Sequence, residues 1–289
     1  CTFTLTPIDN VAPSISCIGN QTAFYNANCE FEVASYVGQI VSTDNCDLSV
    51  DVVQSPAAGS FVSGVTPITM TGTDDAGNTI SCSFSVTPSD NQPPAITCPS
   101  TQDADFDANC EFALQDYTGL GVAVDNCSAT TITQSPVAGT VLSANSVITL
   151  TAMDQNQNAT SCSFLVVPED NLAPAILCPS DLTVDFDANC SFTLADYTGL
   201  GSPSDNCSSV FTVSQLPSAG TVIGASTPIT LTVLDGNGNS ADCSFNVNPV
   251  DNTDPIITCI ADQEVVFDSN CQFEVSDYNG SAITSDNCS

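Results

Sequence analysis

Aspartates recur in register along this chain, and carboxylates that converge on one point can hold a divalent cation. Asp9-Asn10, Asp90-Asn91, Asp170-Asn171 and Asp251-Asn252 each open a stretch that goes on to Asp44, Asp125, Asp205 and Asp286. Three of the stretches then reach a third acid and amide: Asp74 with Asn78, Asp154 with Asn158, and Asp235 with Asn239. Calcium takes six to eight oxygen ligands from carboxylates, amide and backbone carbonyls, and water. Three carboxylates and two amides at one end of a folded unit would meet that need, so calcium is expected at each junction between units, stiffening the array. The plainer reading is that Asp and Asn are ordinary turn formers bonding their own backbone, and that scattered acids only solvate the surface.

Sixteen cysteines keep a register of their own. Four phrases, Cys29–Cys46, Cys110–Cys127, Cys190–Cys207 and Cys271–Cys288, each separate two cysteines by 17 positions and repeat at intervals of 81, 80 and 81 residues. A fixed period of that size means tandem units. The further cysteines are Cys17 and Cys82, Cys98 and Cys162, Cys178 and Cys243, and Cys259. Cys1 stands where the fourth cysteine of a preceding unit would be, and the last unit stops before its own. The expected division is residues 1–8 as the end of one repeat, 9–89, 90–169 and 170–250 as whole repeats, and 251–289 as the start of another. Wide cysteine spacing, no CxxC and no histidine favour disulfides in an oxidising, extracellular setting over zinc. Four cysteines per unit allow three pairings.

The charge balance narrows the chemistry. There are 33 acidic residues and no Lys, Arg or His, giving a net charge of −33. Nucleic acid and anionic membranes are excluded as electrostatic partners, and no membrane span is visible. A nucleophilic triad lacks its histidine base, and phosphoryl transfer lacks its cations. A carboxylate-pair glycosidase remains chemically possible, but the candidate acids recur in every unit, where a catalytic pair should occur once. No enzyme is expected.

The elements that must position these residues read as β throughout. In the second unit, Ala95–Cys98 and Ala104–Phe106 form a broken first strand and Asp107-Ala108-Asn109 turns the chain. Cys110, Phe112 and Leu114 alternate with polar residues. A loop from Tyr117 to Cys127 follows, then strands at Thr130–Gln134, Gly139–Leu142, Val147–Met153 and Thr160–Val167. Hairpin turns fall at residues 74–78, 154–158 and 235–239. Tyr36, Tyr117, Tyr197 and Tyr278 suit the core. About seven short strands in about 80 residues predict an all-β chain of tandem immunoglobulin-like β-sandwich repeats, strung as a rod through proline-stiffened linkers.

The ordered set Asp-Asn-x-x-Pro, Ile-x-Cys-Pro, Asp-Asn-Cys, Asp-x-x-Gly-Asn and Cys-Ser-Phe-x-Val resembles the hyalin repeat (HYR) family across essentially the whole chain. Departures are Ile18 and Ile260 in place of proline, and Gln157 in place of the hairpin glycine. The DYTGL phrase at Asp116–Leu120 and Asp196–Leu200 is further similar to hyalin repeats in large surface adhesins of the Bacteroidetes, including gliding-motility adhesins of flavobacteria. The resemblance implies an extracellular adhesive module, the stalk or filament of a giant surface adhesin. A multivalent glycan- or surface-binding module is the alternative. Its partners would be neighbouring repeats, surface glycans or other copies of itself. It also implies nested disulfides: Cys17–Cys82, Cys98–Cys162 and Cys178–Cys243 outside, with Cys29–Cys46, Cys110–Cys127, Cys190–Cys207 and Cys271–Cys288 inside. Cys1 and Cys259 would be left without partners.

Overall fold

The computed structural model describes residues 1–288. Contacts divide it into two compact units, Cys1–Asp103 with Ala113–Val167, and Ala104–Phe112 with the residues from Pro168 on. Both are built of tandem β-sandwich repeats. Apart from single 3-10 turns such as Val37–Gln39, the regular structure is strand.

The first repeat lies wholly in the first unit and shows the plan. Its strands are β1 (Ser14–Ser16), β2 (Gln21–Phe24), β3 (Phe31–Glu32), β4 (Val41–Thr43), β5 (Asp51–Ser55), β6 (Phe61–Val62), β7 (Thr66–Thr73) and β8 (Thr79–Ser89). One sheet runs β2-β8-β7-β5, while β1 pairs with β4 and β3 with β6. Strand β2 runs parallel to β8, from Gln21 against Val86 to Phe24 against Ser89. Side chains alternate across each strand, so Thr66, Ile68 and Met70 of β7 and Phe84 and Val86 of β8 turn inward. Phe31, Val33 and Tyr36 meet them from the other layer. Tyr36 stands edge-on to Phe84 with ring centroids 5.1 Å apart. Each buried aliphatic or aromatic side chain contributes about 1.5–3 kcal/mol by leaving water.

A polar device crosses this core. Gln54 accepts from the Tyr36 N–H (2.8 Å) and donates to the Ala34 and Pro56 carbonyls (2.9 and 3.1 Å). Gln134 and Gln215 do the same for Tyr117 and Tyr197. Every polar atom of the side chain is thereby used, as burial requires.

The third repeat repeats the plan inside the second unit. Leu182–Asp185 runs parallel to Ser240–Val250, beside Thr227–Leu234 and Thr212–Leu216. Leu194, Tyr197, Ile229, Leu231, Phe245 and Val247 fill its core. Within the first unit, Ser146–Met153 pairs with both Thr131–Ser135 and Ala159–Glu169. Val122–Val124, expected inside a loop, is a strand paired antiparallel with Ala95–Thr97. It is short, and its three residues alone carry no turn-to-turn alternation. Tyr117 and Tyr197 are buried, whereas Tyr278 is exposed.

The long last strand separates two ends. Eleven residues of β8 span about 35 Å at roughly 3.3 Å per residue. At its start, Asn78 donates to the carbonyls of Asp9 and Val11, and the β1–β4 pair delivers Asp44 and Cys46 to the same end. At its finish, the Tyr25 N–H donates to the Ser89 carbonyl and a turn over Asn26–Glu30 follows.

That separation corrects the inner disulfides. Bonded cysteines need Cα atoms within about 7 Å, and Cys29 and Cys46 occupy opposite ends of their repeat. Cys29 bonds instead to Cys127, Cys110 to Cys207, and Cys190 to Cys288, with Cα separations of 4.9, 5.0 and 4.8 Å. The expected Cys29–Cys46, Cys110–Cys127, Cys190–Cys207 and Cys271–Cys288 bridges are absent, and Cys46 and Cys271 are free thiols. The outer bridges are Cys17–Cys82, Cys98–Cys162 and Cys178–Cys243, with Cα separations of 5.9, 5.8 and 5.7 Å. Cys1 and Cys259 are unbonded.

Candidate metal centre at the repeat junctions

The turns that end each sandwich bring the in-register acids together. Asp90, Asp125 and Asp154 each place a carboxylate oxygen within 4.8 Å of the others, as do Asp170, Asp205 and Asp235. At the start of the first repeat the set is Asp9, Asp44, Asp47 and Asp74. The Asp90 set lies wholly in the first unit and the Asp170 set wholly in the second.

Three local devices aim these carboxylates, and they repeat. The linker acid uses one oxygen to accept the N–H two residues on: Asp9 from Val11 (3.0 Å), Asp90 from Gln92 (3.1 Å) and Asp170 from Leu172 (3.2 Å). The loop acid caps the turn after β4 or its equivalent. Oδ2 of Asp44, Asp125 and Asp205 accepts the N–H of Cys46, Cys127 and Cys207 at 2.8, 2.9 and 2.9 Å. The hairpin acid is held by its asparagine through both backbone and side chain. For Asp154, the Asn158 N–H reaches Oδ1 and its Nδ2 reaches Oδ2, both at 2.7 Å. The remaining oxygens are the consequential ones. Oδ2 of Asp9, Asp90 and Asp170, and Oδ1 of Asp44, Asp125 and Asp205, are buried with no hydrogen-bond donor. Asp90 and Asp170 are only 7 % and 4 % exposed as whole residues.

A buried carboxylate oxygen without a partner is costly, and here the same two oxygens are orphaned at all three positions. Three of the cluster acids are nonetheless drawn toward the ionised form. Burial pushes the Asp125 carboxyl upward, but the N–H groups of Cys127 and Ser128 outweigh it and leave the group below the usual carboxylate range. Asp74 and Asp235 show the same balance, with Asn78 and Asn239 as the chief opposing donors. No lysine or arginine exists in the chain to neutralise the triads. Inward-facing carboxylate oxygens, net negative charge and no competing base suit a hard, oxygen-seeking divalent cation.

The asparagines behave differently from expectation. Asn78, Asn158 and Asn239 point their amide nitrogens at the hairpin acids and at the carbonyls of Asp9, Asp90 and Asp170. They lock the site's geometry. Asn171 and Asn252 donate to Asp105 and Asp185, away from the triads, and nothing assigns Asn10 or Asn91 to a site. Asp286 accepts the Asn287 N–H, Asp251 is exposed, and neither belongs to a cluster among the described residues. Asp47 carries no in-register signal in the sequence, because Ser128 and Ser208 take its place in the next two repeats.

Two of the inter-repeat bridges, Cys29–Cys127 and Cys110–Cys207, run beside a triad. The loop acid caps the very cysteine that crosses to the neighbouring repeat, and the asparagine between them donates across the junction. Asn126 reaches the Asn26 carbonyl (3.0 Å), Asn206 that of Asp107 (2.9 Å) and Asn287 that of Asp187 (3.1 Å).

Residues 8–88 match the HYR domain. The chain is also similar to hyalin of Lytechinus variegatus, 26% identical over 240 residues, which is 80% of this chain and 45% of hyalin. It thus spans less than half the length of that relative. Among solved structures, protocadherin gamma B2 extracellular cadherin domains 1–5 superimpose with a TM-score of 0.42 at 13% identity, covering 84% of this chain and 60% of that one. Mouse cadherin-23 EC22–24 gives 0.40 at 12% identity, covering 83% and 99%. No helix among the described residues is long and apolar enough to cross a membrane.

Proposed function

We propose that this chain is a structural, adhesion-type HYR repeat region that works outside the cell as a stalk, with calcium held at its repeat junctions. The observation that carries the reading is the orphaned pair of buried carboxylate oxygens, repeated beside the cystines that tie one repeat to the next. Asp90, Asp125 and Asp154 would hold one ion, Asp170, Asp205 and Asp235 another, and Asp9, Asp44, Asp47 and Asp74 a third. A bound calcium would complete the neutralisation of each triad and oppose bending of the linker against the sandwich below it. The stalk carries no catalysis in this reading: its acids recur as a set in each repeat, and their geometry is that of a cation cage. Large Bacteroidetes adhesins, gliding-type ones among them, are the setting the DYTGL phrases favour. Self-association or weak glycan contacts multiplied along the array would supply adhesion by avidity.

Calorimetry in calcium and in chelator tests this. Free calcium at 100 times the dissociation constant stabilises a site by about 2.7 kcal/mol, so the melting midpoint should rise with calcium and fall with chelator. Asp125→Asn should remove the increment for one junction and leave the others. A midpoint indifferent to both additions would sink the reading.

A further inference from the structure

The loop carboxylate at each of these junctions faces two ways. Oδ2 of Asp125 accepts the N–H groups of Cys127 and Ser128, both at 2.9 Å. Its Oδ1 is buried without a donor, in the group it forms with Asp90 and Asp154. Two residues on, the Cys127 sulfur is bonded to Cys29 of the preceding repeat. Asp205 is placed the same way: Oδ2 takes the Cys207 and Ser208 N–H groups at 2.9 and 2.8 Å, Oδ1 is orphaned, and Cys207 is bonded to Cys110. We propose that each triad and the inter-repeat cystine beside it form one coupled, redox-sensitive clamp. Closing the bridge tightens calcium binding at its triad, and bound calcium holds the bridge closed. The coupling rests on calcium filling the triads.

The joint is spanned twice. Asp90 lies in the linker, whereas Asp125 and Asp154 belong to the loop and hairpin of the repeat that follows. Asp90 Oδ2 is buried without a donor in a residue only 7 % exposed, and Asp170 Oδ2 likewise in one 4 % exposed. Turn geometry gives no reason to bury such an oxygen unpaired; a cation does. The bridge crosses the same joint from the side, tying the Asn26–Glu30 turn of the first repeat to the Asp125 loop. Two hydrogen bonds run with it: Asn126 donates to the Asn26 carbonyl at 3.0 Å, and Gln92 of the linker to the Tyr25 carbonyl at 2.9 Å. Linker, loop and preceding turn are thus fixed to one another close to the carboxylates. With the bridge open, the linker acid and the loop acid lose that common anchor, and a cation must order them as it binds. Coupling of this kind is reciprocal. Whatever factor the bridge adds to calcium affinity, calcium adds to the stability of the bridge.

Opening the bridge breaks one S–S bond through a mixed disulfide with a thiol such as glutathione. Two glutathiones become one glutathione disulfide, and the two electrons and two protons they give up leave Cys29 and Cys127 as thiols. A reductant therefore loosens calcium, and a chelator makes the bridge easier to reduce. The joint is stiffest where an oxidising setting and calcium occur together.

The test uses the full chain carrying Cys1→Ser, Cys46→Ser, Cys259→Ser and Cys271→Ser, so that no unbonded thiol exchanges with the bridges. Calorimetric titration with calcium chloride compares this oxidised protein with one that also carries Cys29→Ser and Cys127→Ser. The affinity of the Asp90, Asp125 and Asp154 triad should fall about ten-fold, inside the roughly 5- to 150-fold span of coupled sites, while the other triads keep theirs. A second measurement leaves both bridge cysteines in place. In a glutathione redox buffer, saturating calcium should raise the equilibrium constant for the Cys29–Cys127 disulfide by the same factor, read by thiol alkylation and mass spectrometry. Asp125→Asn should abolish that shift at Cys29–Cys127 and leave it at Cys110–Cys207. Calcium that binds to the oxidised protein but leaves the disulfide equilibrium unmoved, or binds equally without the bridge, overturns the coupling and spares the calcium sites. An oxidised protein that takes up no calcium overturns both.

Discussion

Cys29, Cys110, Cys190 and Cys271 hold φ between +52° and +58°, a region that costs a side chain with a Cβ about 1–2 kcal/mol. The turn before each cysteine supports it. Asp107 Oδ1 accepts the N–H groups of Asn109 and Glu111 at 2.8 and 3.0 Å, which holds its carboxyl below the usual range, and Asp187 and Asp268 do the same. A carboxyl depressed in the folded state adds stability above its unfolded pKa and loses it as pH falls through the lower folded value. These turns should therefore weaken below about pH 4. Asn26 builds the same turn in the first repeat with an amide that does not titrate. Replacing Asp107, Asp187 and Asp268 together by Asn should flatten the acid limb of the melting midpoint measured between pH 5 and 2. Gln157 is another left-handed residue, φ +70°, exposed on a hairpin where Gly77 and Gly238 stand in the other repeats. Gln157→Gly should raise stability by about 1 kcal/mol in chemical denaturation. At this scale the acids were legible in the sequence, because Asp and Asn recur at fixed offsets from the cysteines. The cysteine partners were not. An equal spacing of 17 looks local, and only the length of β8 puts the two thiols of a phrase at opposite ends.

Among the elements, the strands and hairpins of the second repeat could be placed from alternation and turn residues, because Ile148, Leu150 and Ala152 alternate with threonines. The parallel pairing of β2 with β8 could not. Alternation says which face is buried and is silent about which neighbour a strand takes. Packing differs between copies even where register agrees. Gly72, Ala152 and Val233 stand at one position, yet a Cβ on Gly72 would lie 2.8 Å from Ile15 Cγ2 and 3.1 Å from Val50 Cγ1. Gly72→Val should destabilise the first repeat by roughly 1–3 kcal/mol through overpacking, measured by urea unfolding, although valine is native in the third. The buried glutamine is the other element-scale weak point. Gln54→Ala removes partners from the Tyr36 N–H and from the Ala34 and Pro56 carbonyls, and should cost about 2–3 kcal/mol in the same assay.

At the scale of the whole chain, the cystines form two interleaved series, three within repeats and three between them. A pull applied at Cys17 and Cys288 finds a short covalent route. It takes 12 positions from Cys17 to Cys29, 17 from Cys127 back to Cys110, and 17 from Cys207 back to Cys190, crossing a bridge after each. That is about 46 residues in place of 271, or roughly 160 Å of extended backbone against about 950 Å. Force spectroscopy on the oxidised chain should show the shorter limit, and the longer one after reduction.

The spans of the six bridges also overlap without a gap from Cys17 to Cys288. Severing any one peptide bond in that stretch leaves both pieces attached. With no Lys or Arg for trypsin to find, a protease of another specificity could nick this chain once and set nothing loose until a reductant arrived. Tolerance of damage outside the cell would then come from the thiol chemistry of the chain and require no protection of its backbone.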